Sequence, residues 1–355
     1  MDVIKYVALD LHIASIWIVV MSAAGKVLME LGIATSAAEI RKFFAGLRGR
    51  LTVTFEESTL SQWAYEVIEP MVEKVVVCNP RRNKYLEEGS KSDEIDARKL
   101  ADLLRTGMLK AVYHGQKGFG ALKDVVRSYL CLSSDCSRVM NRLKAVFRSR
   151  GIRTVGRSIY YERNRQEWLN KLDRPEKRRR AEILYKQFDC LRELKKEAKR
   201  EMLAAARKQE GYRSVISIPG LGPIFTAIIL AVIVTPHRFR SKRQLWSYCG
   251  LSVITRSSSD YEFINGRRVK SRKFEVTRGL TVDFNHLLKW ALKTATIEAI
   301  KKEPFHTFYS IRTEAGMSPE MARLTVARKI AALILVLWKK GDVFDEKVIM
   351  KSFAA

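Results

Sequence analysis

The sequence is poor in cysteine, and the few it has are scattered. Cys78, Cys131, Cys136, Cys190 and Cys249 never form a CxxC pair. An odd, dispersed set supports neither a zinc site nor a disulfide framework and suits a reducing cytoplasm. Long hydrophobic runs are also missing. The two most apolar stretches, Pro223 to Val234 and Ile330 to Trp338, are too short to span a bilayer and are expected to be core helices. The opening residues MDVIKYVALD lack signal-peptide architecture, and neither a lipidation motif nor a long amphipathic anchor offers membrane attachment. No internal repeat or low-complexity segment is evident. Acid is scarce relative to base: 38 Asp and Glu face 65 Lys and Arg, for a net charge of +27 and a pI of about 10.0. So large an excess is solvated surface, and its usual partner is a polyanion.

What is present reads as globular. A chain of 355 residues with 47% apolar and 29% charged residues has material for two or three domains with real cores. KYVALD, IWIVVMS and VLMELGI are strand-like runs, with AAGK turning between the second and third. SAAEIRKFFAGL follows as a helix, with Ser36 and Glu39 spaced as a capping box. LTVTF then reads as a strand, SQWAYEVIEPM as a helix and KVVVCNP as a strand. DEIDARKLADLLRTG is a helix stopped by glycine. This order predicts an α/β layer fold over residues 1–115 and matches the RNase-H-like (RuvC-like) arrangement.

From about Ala121 the strand signals vanish. Residues 121–150 and 162–208 predict two long helices, the second carrying Leu184, Phe188, Leu191, Leu194 and Met202 at roughly helical spacing. Between Arg138 and Lys208 there are 23 Lys and Arg against nine Asp and Glu, a net +14. The segment 116–209 is therefore a basic helical hairpin or coiled coil, and charge density alone does not separate a scaffold from a nucleic-acid clamp. The remainder, 210–355, is expected to be mainly helical. It opens with IPGLGPIFTAIILAVI, the form of a helix-hairpin-helix turn, in which Gly220 and Gly222 expose backbone N–H groups able to hold a phosphate. A plain Gly/Pro turn between core helices has the same composition.

Acidic residues mark the ends of three segments. Asp10 ends the first strand, Glu56 follows the fourth, and Asp93 and Asp96 open the third helix three residues apart, on one face. Each alone has a structural reading: Asp93 as a helix cap, Glu56 or Glu57 as an exposed strand end, Asp96 as a partner of Arg98 or Lys99. Together they form a set of hard oxygen ligands suited to Mg²⁺ or Mn²⁺ and to phosphodiester cleavage. The segments VALDLH, FEEST, VCNP, KSDEIDARKLADLLR, IPGLGP, WSYCGL with RSSSD, and TRGL resemble the DEDD transposases of insertion-sequence family one-hundred-and-ten, which includes bridge-RNA-guided recombinases and Piv-type invertases. The resemblance implies Asp10, Glu56, Asp93 and Asp96 as metal ligands, with Glu56 preferred over Glu57 by register. His12 is read as supporting the ligands from behind.

The same resemblance implies a catalytic serine eight residues after Gly250, which is Ser258, the middle of Ser257-Ser258-Ser259. An activated hydroxyl there attacks a DNA phosphate and holds it as a phosphoserine. Arg256, Arg267, Arg268 and Lys270 are nearby cations for nucleic acid, and Asn265-Gly266 marks a tight hairpin. The resemblance further implies element ends and target DNA as partners, a guide RNA encoded by the element, a homo-oligomeric synapse built as a dimer of dimers, and a prokaryotic cytoplasm beside the nucleoid. A site-specific invertase and a non-catalytic nucleic-acid-binding derivative are the alternatives, and a metal-only junction resolvase would not need the C-terminal domain.

Overall fold

Apolar runs of period two set the first sheet. The computed structural model describes residues 3–80, 92–114, 119–257, 261–270 and 275–346. Within it β1 (Ile4–Leu11), β2 (Ser15–Ser22) and β3 (Val27–Ala34) form an antiparallel meander. After α1 (Ala37–Ala45), strand β4 (Arg50–Glu56) returns parallel to β1. After α2 (Ser61–Ile68), β5 (Lys74–Cys78) pairs parallel to β4. The sheet order is β3-β2-β1-β4-β5. Its central strand, β1, is covered on both faces. Val7, Leu9, Val53 and Phe55 pack under α1 and α2 with Ile40, Phe44 and Ile68. Ala8, Val19 and Cys78 pack on the other face against Ala97, Leu100 and Ala101 of α3 (Asp93–Arg105). Phe55 is fully buried, so trimming it to alanine costs roughly 3–5 kcal/mol.

Capping fixes where these helices start. Ser36 accepts the Glu39 N–H at 3.2 Å, as its spacing predicts. On α3 the cap is Ser92, accepting the Ile95 N–H at 3.3 Å, so the Asp93 carboxylate is not spent on capping. Gly107, at φ +70°, takes the chain out of the same helix.

The chain divides into Met1–Lys117 and Gly118–Ala355. The first unit is nearly neutral, with 16 Lys and Arg against 15 Asp and Glu, and the second carries the other +26. In the second unit α4 (Phe119–Arg148) and α6 (Pro175–Arg207) form an antiparallel hairpin. A single helix over 162–208 is not what the chain makes. A short α5 (Arg165–Asn170) precedes a break, because Pro175 disfavours the helical region for Arg174, which sits extended at φ −102°, ψ 126°. Leu184, Phe188 and Met202 are buried as their spacing requires, but Leu194 is 45% exposed.

The distal part of the hairpin has its own core around Phe147, Trp168 and Phe188. Its base, through Leu122, Val126, Ala198 and Met202, shares one core with the C-terminal helices. These are α7 (Tyr212–Ile216), α8 (Pro223–Ile233), α9 (Lys242–Tyr248), α10 (His286–Ala299), α11 (Phe305–Glu314) and α12 (Pro319–Lys340). Four short strands interrupt them. β6 (Val253–Ser257) pairs antiparallel with β9 (Glu275–Leu280), and β7 (Tyr261–Ile264) pairs with β8 (Arg267–Lys270) across Asn265 and Gly266 at φ 51° and 75°. The hairpin was legible from Asn-Gly, whereas β6 and β9 were not expected in a mainly helical segment. No helix of the described residues is long and apolar enough to cross a membrane.

Candidate active site

Side chains alternate along a strand, so the clusters on either side of the sheet decide where each acid points. On β1, Leu9 lies under α1 and α2 and Ala8 under α3, which puts Asp10 on the α3 face. On β4, Phe55 lies under α1 and α2, so Glu56 shares the face of Asp10, beside Cys78 in the register. Asp93 and Asp96 lie on the first turn of α3, which packs on β1 and β2. All four expected acids therefore come from element ends on one side of the sheet.

Glu57 is turned elsewhere. Its Oε2 lies 2.7 Å from Nε2 of His114, whose Nδ1 is 3.3 Å from Gln62 Oε1 and whose ring stacks on Tyr65 at 5.4 Å. His114 was not singled out from the sequence, because 57 residues separate it from Glu57.

Negative charge is concentrated around Asp10. Burial raises the Asp10 carboxyl above its ordinary range, the neighbouring His12 opposes this, and the negative charges of Asp93 and Asp96 push it further up. His12 does more than support Asp10 from behind: its Nε2 is 3.2 Å from Asp10 Oδ2 and 3.6 Å from Asp93 Oδ1. The backbone holds this imidazole in place, since His12 N–H donates to Ser15 O at 3.0 Å and Thr35 Oγ1 donates to His12 O at 2.7 Å. Arg98, a candidate partner for Asp96, instead forms a two-pronged ion pair with Glu30 of β3. Oδ1 of Asp96 is buried and accepts no hydrogen bond among the described residues.

These residues fit a divalent metal. Cis ligands around an octahedral ion at about 2.1 Å stand roughly 3 Å apart, close to the two separations made by His12. Asp10, His12 and Asp93 each offer a ligand atom within 4.8 Å of the others.

In the second unit the segment WSYCGL braces β6. Trp246 Nε1 donates to Arg328 O at 2.8 Å, and Arg328 Nε donates to Leu251 O at 2.6 Å, tying the start of β6 to α12. Gly250, at φ +66°, lies where a Cβ would meet the ring of Phe284 at 2.5 Å, so a side chain is excluded there. Ser257 ends β6 opposite Glu275, and Arg256 pairs with Val276. Ser258 and Ser259 lie outside the described residues. Arg267 and Arg268 are exposed on β8, which Lys270 ends. Gly220, at φ +88°, needs no nucleic acid to explain it, since a Cβ there would meet Ala299 and Ala295 of α10 at 2.6 and 2.7 Å. Nothing crowds Gly222.

A family model described as a transposase of the DEDD type, IS110, matches residues 7–150. A second, described as the IS116/IS110/IS902 transposase family, matches residues 212–310. The chain belongs to the IS110 family of transposases. None of the curated proteins matches it. The transposase therefore binds DNA, cuts it and rejoins it, as the enzyme of an insertion element. Its DEDD-type match spans every acid from Asp10 to Asp96 and points to dependence on a divalent metal, and its second match contains the serine run.

Proposed function

We propose that the transposase exchanges strands with two chemical groups, a divalent-metal site at Asp10, Glu56, Asp93 and Asp96 and a nucleophile at Ser258. The observation that carries this reading is that Asp10, His12 and Asp93 bring ligand atoms within 4.8 Å of one another, with the charge of Asp96 felt at Asp10 and its buried Oδ1 accepting no hydrogen bond among the described residues. The sheet order 3-2-1-4-5, with α3 over β1, supports an RNase-H-like fold for the first unit. Mg²⁺ or Mn²⁺ suits the oxygen-rich donor set, and when bound it stabilises charge on phosphodiester oxygens. Asp10 and Asp93 would hold that ion from two different elements, with His12 Nε2 a further donor within reach of both. The Ser258 oxygen bonds to phosphorus as the sugar oxygen leaves. A phosphoserine conserves the energy of the broken phosphodiester, so rejoining needs no outside energy source. The cations Arg256, Arg267, Arg268 and Lys270 and the turn at Gly222 position the DNA backbone.

The test is to quench a cleavage reaction in denaturant and look for protein attached to a DNA end. Wild type yields an adduct mapping to Ser258, whereas Asp96→Asn and Ser258→Ala bind DNA and yield none. An adduct from Asp96→Asn removes the metal assignment, and strand exchange by Ser258→Ala removes the serine. A guide RNA encoded by the element, and a homo-oligomer assembled as two dimers around the DNA, complete the proposal. Sequencing RNA that copurifies with the protein checks the guide, and recovery of bulk cellular RNA alone counts against it.

A further inference from the structure

Between the middle of α4, the chain after it and α6 lies a cavity of about 630 Å³, within the size range of small-ligand sites. It falls largely in the stretch 151–211 that neither family model matches. Its floor is aromatic. Tyr160 and Phe188 are buried with ring centres 5.8 Å apart, and the Tyr160 hydroxyl donates to Met140 O at 3.2 Å, which fixes that ring. Tyr161 stands at the rim, 48% exposed.

The walls carry one sign of charge. Arg157, Arg192, Lys195, Lys196 and Lys199 face Glu193, the only acid in the lining among the described residues. Glu193 is shared, 3.6 Å from Arg192 and 3.9 Å from Lys196. Arg157 and Lys199 have no ion-pair partner among the described residues.

We propose that this cleft binds an unpaired DNA nucleotide, with its base on Tyr161 and its phosphates between Arg157 and Lys199. An exposed ring beside unneutralised cations is the pairing that single strands use: stacking accepts any base, and the cations follow the backbone. Duplex bases are stacked inward and present no free ring face to Tyr161. A second copy of this chain is a poor occupant, because it would bring the same cations against each other. DNA is the polymer that this transposase cuts and rejoins. The proposal goes beyond the carboxylate and serine reading and does not rest on it.

The experiment uses the full chain in EDTA, so that the metal site plays no part, and follows the anisotropy of a labelled oligothymidylate of about 16 nucleotides. Tyr161→Ala weakens binding about tenfold with the salt slope unchanged, and Tyr161→Trp restores it. Arg157→Gln combined with Lys199→Gln lowers the log–log salt slope by about 1.4, two phosphates at roughly 0.7 each. Tyr161 is half exposed, so an unchanged melting temperature shows that the fold is kept. The proposal is overturned if Tyr161→Ala stays near wild-type affinity. Losing as much affinity for duplex, losing affinity only for an RNA of the same length, or changing only the oligomeric state also overturns it.

Discussion

Glu56 and Glu57 are adjacent, yet the fold places them in different chemistry. Glu56 shares the face of Asp10, and Glu57 is engaged by His114 at 2.7 Å. Glu56→Gln should weaken Mn²⁺ binding, read by titration under electron paramagnetic resonance, by at least about tenfold, the scale on which metal sites respond to losing a supporting group. Glu57→Gln should bind the ion nearly as wild type does, and the opposite order would move the ligand to Glu57. The sequence could rank these two residues only through a resemblance. The physical reason for the ranking is strand alternation anchored by Phe55, and that needs the sheet. Asp10, Asp93 and Asp96 were legible because each sits at the end of a strongly patterned element. The bridging position of His12 was not, since it depends on Asp93 arriving from a segment 81 positions further along.

At the scale of elements, the two glycines of IPGLGP separate packing from binding. Gly220 combines a left-handed backbone with a close approach to α10, whereas Gly222 caps α8 in open space. Gly220→Ala should cost roughly 2–4 kcal/mol from strain and overpacking together, seen as a melting point lower by several degrees. Gly222→Ala should leave the melting point nearly unchanged and weaken DNA binding if the turn holds a phosphate. A stable Gly220→Ala variant would mean that the turn does not pack on α10 as described. Helices with clear periodicity, α1, α3 and α4, were readable from sequence to within a few residues. The break before α6 was missed because the apolar spacing continues across it, although Pro175 was there to be read. β6 and β9 escaped because each is short and gains its partner only through the other.

For the whole molecule the division of charge is the strongest physical statement. The first unit, at +1, carries the four acids proposed to hold the metal, and the second holds +26 of the +27. Grip on a polyanion therefore belongs mainly to the second unit, and affinity for duplex DNA in EDTA should fall by orders of magnitude between about 50 and 200 mM salt. The run Lys177, Arg178, Arg179 and Arg180 on α6 refines this. Arg178 and Arg179 both reach Glu182, at 3.7 and 3.4 Å, so one carboxylate partly serves two of the four cations. Exposed pairs of this kind contribute little energy and yield readily to a phosphate. If α6 touches the duplex there, replacing Lys177, Arg179 and Arg180 by Gln lowers the slope of log affinity against log salt by up to about 2.7, at roughly 0.9 for each phosphate left without its cation. Intrinsic affinity at low salt falls with it, and the melting temperature holds because none of the three side chains is buried. A slope equal to that of wild type would make this face of α6 solvated scaffold, and would leave the grip to the cations around β8 and those lining the cleft beside α6.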